Sequence, residues 1–187
     1  MFVRYKGAFI LIIVWICMFM INMHTDLVNN LASKGINKIG VEYYRFITGS
    51  LLHVNTLHLL ANTFTMFYVG SFLEPRMGSV KMGVFILCAT FISNLIFSCI
   101  YKNTDSSIGG SICIFAAIGL IIGLQLFKPD FPRFRLGTAY GNWILIYSIV
   151  GNIPIMSFMN HTTVVIHGIS LITGFIIGGI GIFLRLL

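Results

Sequence analysis

Charge is what this chain lacks most. Of its 187 residues 9% are charged, against roughly 25% in a soluble globular domain. Hydrophobic residues make up 57%, and the mean hydropathy is +0.94. A water-facing surface cannot be assembled from so few polar groups. The composition excludes a soluble enzyme, a disordered chain, a collagen and a disulfide-rich secreted module. Cysteine is also sparse. Cys17, Cys88, Cys99 and Cys113 each fall inside an apolar run, with no CxxC and no Cys/His ligand spacing, so they read as packing residues. No small-residue cleavage site follows the first apolar run, which therefore reads as a retained span. No second domain, tandem repeat or low-complexity tail stands out. A polytopic, all-α membrane protein remains, and residues 1–187 read as one membrane-embedded domain.

What is there is six apolar segments, near residues 7–23, 57–73, 82–101, 111–127, 139–155 and 162–184. A span needs about 20 mostly apolar residues, and a lipid-exposed backbone satisfies itself only as helix or closed barrel. Twelve basic residues oppose five acidic ones. Arg4, Lys6, Arg76, Lys81, Lys128, Arg133, Arg135 and Arg185 fall on one side; Lys34, Lys38, Arg45 and Lys102 fall on the other. The positive-inside rule then places both termini in the cytosol and makes the +7 balance an orientation signal, not a nucleic-acid footprint. Two loops exceed simple connectors. Residues 24–56 carry an apolar stripe (Leu27, Val28, Leu31, Ile36, Ile39) that suits a short interfacial helix beginning after Thr25 or Asp26. Residues 128–138, with two prolines and three basic residues, read as a cytosolic turn touching anionic headgroups.

Each polar group left inside a span is costly unless paired. His58 and Asn62 are four apart and share a helix face. Ser111 follows two glycines. His167 opens a row of small residues, Ser170, Gly174 and Gly178, on one face. Gly119 and Gly123 on the fourth segment suit close packing against that row. The second, fourth and sixth segments all run inward, and His58, Ser111 and His167 lie near their starts, so the three share one shallow outer layer. Together they supply a nucleophile, a base and hydrogen-bond donors for an oxyanion.

These residues resemble the rhomboid family of intramembrane serine proteases over roughly Tyr43 to Phe183. Tyr44-Arg45 resembles the family's aromatic-Arg pair. His53, His58 and Asn62 match H-x4-H-x3-N, and Gly70 to Glu74 with Gly78 matches G-x2-[LV]-E-x3-G. Gly109-Gly110-Ser111 matches G-x-S, with Gly119 eight residues on. His167 with Gly174 matches H-x6-G. The resemblance implies a six-helix rhomboid-like bundle with a Ser111/His167 dyad lacking an acidic third member. An oxyanion site of the Ser111 backbone, His58 and Asn62 is implied too. Gly109 would keep the loop before Ser111 open, Phe115 would pack on the His167 imidazole, and Arg45 and Glu74 would be structural. The sequence departs from the family at Ile112, where a small residue usually follows the serine, and at Ser170, usually Gly.

The resemblance further implies single-span membrane proteins as substrates, cut near the outer end of an unwound helix, with no metal or organic cofactor. Access would be lateral, past the fifth segment, beneath a cap at about Met156–His161. Activity should rise through the range near pH 6.5, shifted by burial. Two other readings stand beside it. One is a rhomboid-like protein that binds membrane clients without cutting them, favoured by Ile112. The other is a small transporter or metal channel using His58, His167 and Cys113, disfavoured because no span carries a carboxylate. The setting expected is the plasma membrane of a prokaryote.

Overall fold

A computed structural model describes residues 6–152 and 161–187. Among these residues the chain is helical, and the only β pairing is an isolated bridge between Ser33 and Ser107. The helices are α1 (Lys6–Asn22), α2 (Leu27–Leu31), α3 (Ile36–Ile39), α4 (Arg45–Thr48), α5 (Thr56–Met77), α6 (Ser79–Ile100), α7 (Ser111–Phe127), α8 (Ala139–Val150) and α9 (His161–Phe183). The six longer ones occupy the six expected segments. Helices α6 and α9, at 22 and 23 residues, are long and apolar enough to cross a bilayer, while α1, α7 and α8 are apolar but shorter.

The hydropathy pattern is that of a bundle solvated by hydrocarbon. Ile172, Ile176 and Ile180 recur every fourth residue on α9 and each is more than half exposed. Such a stripe marks a partner or a membrane. Helix α7 is the opposite case, with most of its side chains buried, and forms the bundle's axis. Polar groups point inward instead. On α6, Thr90, Ser93, Asn94 and Ser98 are all buried. Asn94 donates to the Phe46 carbonyl (2.8 Å) and Ser98 to the Lys34 carbonyl (2.9 Å), tying the connection between α1 and α5 to the bundle.

The closest helix pair is α7 with α9, and the glycines explain it. A Cβ at Gly119 would stand 2.0 Å from the Leu171 carbonyl oxygen, and one at Gly174 1.9 Å from that of Ala116. The backbones touch where small residues face each other. Helix α1 is held at its start by Glu74, which accepts hydrogen bonds from the Gly7 and Ala8 N–H groups (2.6 and 3.2 Å) and from the Ser79 hydroxyl. A buried carboxylate against a helix N-terminus is well placed for the macrodipole. Gly70 lets α5 pass Ala8 of α1 at contact.

Three boundaries differ from the sequence reading. Helix α5 runs on to Met77, past the expected end at residue 73, with Pro75 inside it and Glu74 pinned by the start of α1. The reversal into α6 is made by Gly78 alone, at φ +82, a conformation that favours glycine. The interfacial stripe forms two short helices, α2 and α3. Asp26 caps α2 by accepting from Asn29 N–H (3.2 Å), but Ser33 then leaves the helical path to pair with Ser107. The fifth helix ends at Val150, with a turn at residues 151–152. The expected cap at about Met156–His161, with Pro154, lies outside the described residues apart from His161, as does Arg4.

The 128–138 loop is also more than a headgroup-facing turn. Phe131 is buried, 5.8 Å from the Phe72 ring, and Phe134 packs on Phe72 at 4.5 Å in a tilted arrangement. Gln125 donates to the Pro132 carbonyl at 3.0 Å.

Candidate active site

The loop before α7 arrives at Ser111 under tight constraint. The Ser33–Ser107 bridge and a Gly109 N–H to Gly49 carbonyl bond (3.1 Å) fasten it to the connection between α1 and α5. Gly109 has φ +145, and a Cβ there would approach the His58 ring to 3.0 Å. Both facts require glycine. Ser111 then stands in the first turn of α7, where backbone N–H groups lack helical partners and the helix dipole favours negative charge.

The α7–α9 contact carries Ser111 and His167 together. Ser111 Oγ lies 2.9 Å from His167 Nε2, and both residues are buried. The other ring nitrogen, Nδ1, is 3.1 Å from Oδ1 of Asn152, in the turn after α8. The orientation of that amide follows from its other half, because Asn152 Nδ2 donates to the Ser148 carbonyl at 2.7 Å. Oδ1 is therefore the atom facing the imidazole. An amide oxygen only accepts, so Nδ1 bears the proton and Nε2 presents its lone pair to the serine hydroxyl. Phe115 stacks on the imidazole at 4.2 Å and 19°.

Asn62 is similarly oriented. Its Oδ1 accepts from the Tyr147 hydroxyl of α8 at 2.7 Å, and Nδ2 is buried with no hydrogen-bond partner among the described residues. A buried unpaired donor is costly unless something arrives to accept from it. His58, Asn62, Ser111 and His167 all line one cavity of about 260 Å³. Its apolar walls come from Leu57 of α5, Trp143, Ile146 and Val150 of α8, and Ile112 and Ile166. Ile112 is buried against Phe97 and Ile166, so its side chain has a place in the wall. Ser170 donates to the Ile166 carbonyl of its own helix.

His53 does not reach the cavity. It is buried beneath the loop, edge-on to Trp15 (5.3 Å) and to His58 (5.2 Å). Burial, and next the neighbouring His58, push its pKa down to about 3, so the imidazole is neutral. Arg45 is structural as expected, pairing with Glu42 (2.8 Å) and donating to the Asn29 carbonyl. Cys113 does not join the two histidines. Its sulfur accepts from Thr90 (3.4 Å) toward α6, and among the described residues no three His, Cys, Asp or Glu side chains converge.

Sequence reading missed Tyr147 and Asn152. No spacing rule links them to Asn62 or His167. The signal available was depth: α8 runs opposite to α5, α7 and α9, so its last turn reaches the layer where the others begin.

A serine–imidazole pair at the end of two touching glycine-lined helices, in a lipid-adapted helical bundle, defines a narrow class. The Rhomboid domain family matches residues 40–183, and the chain belongs to that family; it is an integral membrane protein. It is 26% identical over 139 residues, 74% of this chain, to RHOMBOID-like protein 6, mitochondrial, of Arabidopsis thaliana, covering 44% of that protein. It is 31% identical over 81 residues to RHOMBOID-like protein 7 of the same plant, covering 43% of this chain and 26% of the relative. The chain thus spans less than half the length of these curated relatives. Their plant origin lends no support to a prokaryotic plasma membrane.

Proposed function

We propose that this chain is an intramembrane serine endopeptidase that cuts single-span membrane proteins near the outer end of their helix. The observation that carries the reading is the 2.9 Å contact of Ser111 Oγ with a His167 Nε2 whose lone pair is aimed at it by Asn152. Ser111 attacks the scissile carbonyl while His167 takes the hydroxyl proton. The tetrahedral oxyanion is received by the Ser111 N–H, the Asn62 Nδ2 and His58. The imidazolium returns the proton to the leaving amine, and water then hydrolyses the acyl-enzyme with His167 again as base. In this reading six helices cross the bilayer and both termini are cytosolic. A substrate approaches laterally between α5 and α8, where Leu57 and Ile146 are each more than half exposed beside the cavity.

A fluorophosphonate probe tests the nucleophile directly. The wild-type protein labels; Ser111→Ala and His167→Ala do not. Labelling that survives Ser111→Ala overturns the assignment. A folded wild-type chain that stays unlabelled favours the alternative of a client-binding protein without proteolysis, for which Ile112 beside the nucleophile is the observation.

In place of an acidic third member, Asn152 positions the base. Asn152→Ala lowers kcat about ten- to a hundredfold with KM little changed, as when a histidine loses the partner that orients it. Asn152→Asp, which also accepts from Nδ1, restores most of the rate. Steady-state kinetics in proteoliposomes checks both.

A further inference from the structure

The end of the bundle opposite Ser111 holds a second cavity, of about 570 Å³, which the proposed reaction does not use. It lies between the last turn of α5 (Ser71 to Arg76), the 132–135 stretch, and the foot of α8 (Thr138, Tyr140). Arg76 is eighteen residues beyond His58 on the same helix, which is about 27 Å along its axis. The cavity therefore sits at the other membrane face. Three arginines line it, Arg76, Arg133 and Arg135, and among the described residues no acidic side chain does. Among the described residues none of the three is in an ion pair.

Charge alone does not make a site, but these guanidinium groups are placed. Arg76 lies over the Phe72 ring at 4.2 Å and donates one bond to the Phe72 carbonyl, which leaves other N–H groups of its fork. Arg133 stands between Phe131 and Phe134, both packed on Phe72, so its backbone is fixed on either side. The Arg135 carbonyl accepts from the Thr138 N–H (3.2 Å) and hydroxyl (2.7 Å), setting the turn into α8. Next in sequence to Arg135 stands an apolar group in the open, Leu136 at 75% exposure. Tyr140 lines the cavity itself.

We propose that this cavity binds the phosphate of an anionic phospholipid headgroup. Planar arginine forks suit a phosphate diester. Leu136 and Tyr140 suit the glycerol and first acyl carbons at the depth where a span ends. The volume falls in the range of about 300–1,000 Å³ typical of small-ligand sites. A free phosphate would use the arginines but not the apolar rim.

The test uses the full chain in a neutral detergent and thermal unfolding as readout. Dihexanoyl phosphatidylglycerol raises the midpoint saturably, by roughly 2–4 °C. Dihexanoyl phosphatidylcholine does not, and neither does inorganic phosphate at matched ionic strength. Arg133→Gln with Arg135→Gln, both on exposed side chains, removes the shift without changing the midpoint in detergent alone. Lys81→Gln with Arg185→Gln, which removes equal charge elsewhere on the face, retains it. Equal loss in the two double variants means diffuse attraction and overturns the proposal. So does an equal shift with phosphatidylcholine, and so does a shift with inorganic phosphate alone, which marks a site for a soluble anion.

Discussion

Proteoliposomes carrying His167→Ala cut a single-span substrate more slowly than wild type by about four orders of magnitude or more, with KM little altered. The size of the loss follows from the cavity's contents. His167 Nε2 is the group 2.9 Å from the serine hydroxyl, and among the described residues no Asp, Glu or Lys lines the cavity to replace it. His58 comes from α5, and its ring sits under Gly109 and against His53. A neutral serine hydroxyl is a poor nucleophile without an adjacent base. The residual rate reflects the oxyanion donors alone. A His167→Ala protein that keeps a tenth of the wild-type rate would remove the imidazole from the mechanism.

The second large effect is expected far from the reacting atoms. Gly174→Leu destabilises the protein by about 3 kcal/mol or more and abolishes fluorophosphonate labelling, because even the first added carbon would lie 1.9 Å from the Ala116 carbonyl oxygen. The obstacle is backbone, which cannot rotate aside as a side chain can. Helices α7 and α9 must separate, and Ser111 and His167 ride one on each. For a chain of this size the cost corresponds to a fall in unfolding midpoint on the order of 10 °C. Gly168→Ala is the control: it lies on the same helix, one residue from His167, and an added Cβ there meets nothing within 4 Å. It should leave both the midpoint and the labelling unchanged. Thermal unfolding in detergent and probe labelling, run on the same samples, separate a packing effect from a chemical one.

Much of this was legible because hydrocarbon makes polar residues conspicuous. His58, Asn62, Ser111 and His167 stood out against apolar neighbours, and the glycines at 119 and 174 announced which helices touch. The bounds of α7, Ser111–Phe127, coincide with the expected segment. What stayed hidden depends on direction in space. Tyr147 is an ordinary residue of an apolar run until α8 is packed against α5 and its hydroxyl meets Asn62. Asn152 lies inside the expected segment 139–155, and only the end of α8 at Val150 turns it toward His167. Phe131 and Phe134 sit among prolines and arginines, and only the ring of Phe72 turns that stretch into a fixed structure. The reach of α5 to Met77 was obscured because Glu74, Pro75 and Arg76 interrupt the apolar run, although the helix continues through them.

The chain has two tryptophans, one beneath the loop that leads to Ser111 and one in the cavity wall. Trp15 is wholly buried beneath Gly110, so close that a Cβ there would lie 2.6 Å from its ring. Trp143 lines the cavity from α8, its indole N–H donating to Thr65 at 2.9 Å. The protein's intrinsic emission is therefore divided between the floor beneath the serine and the wall a substrate would pass. Outward movement of α8 exposes Trp143 to lipid-borne quenchers while Trp15 stays dark to them. Opening of the bundle can thus be timed optically in the unlabelled native chain, with a built-in reference beside the nucleophile.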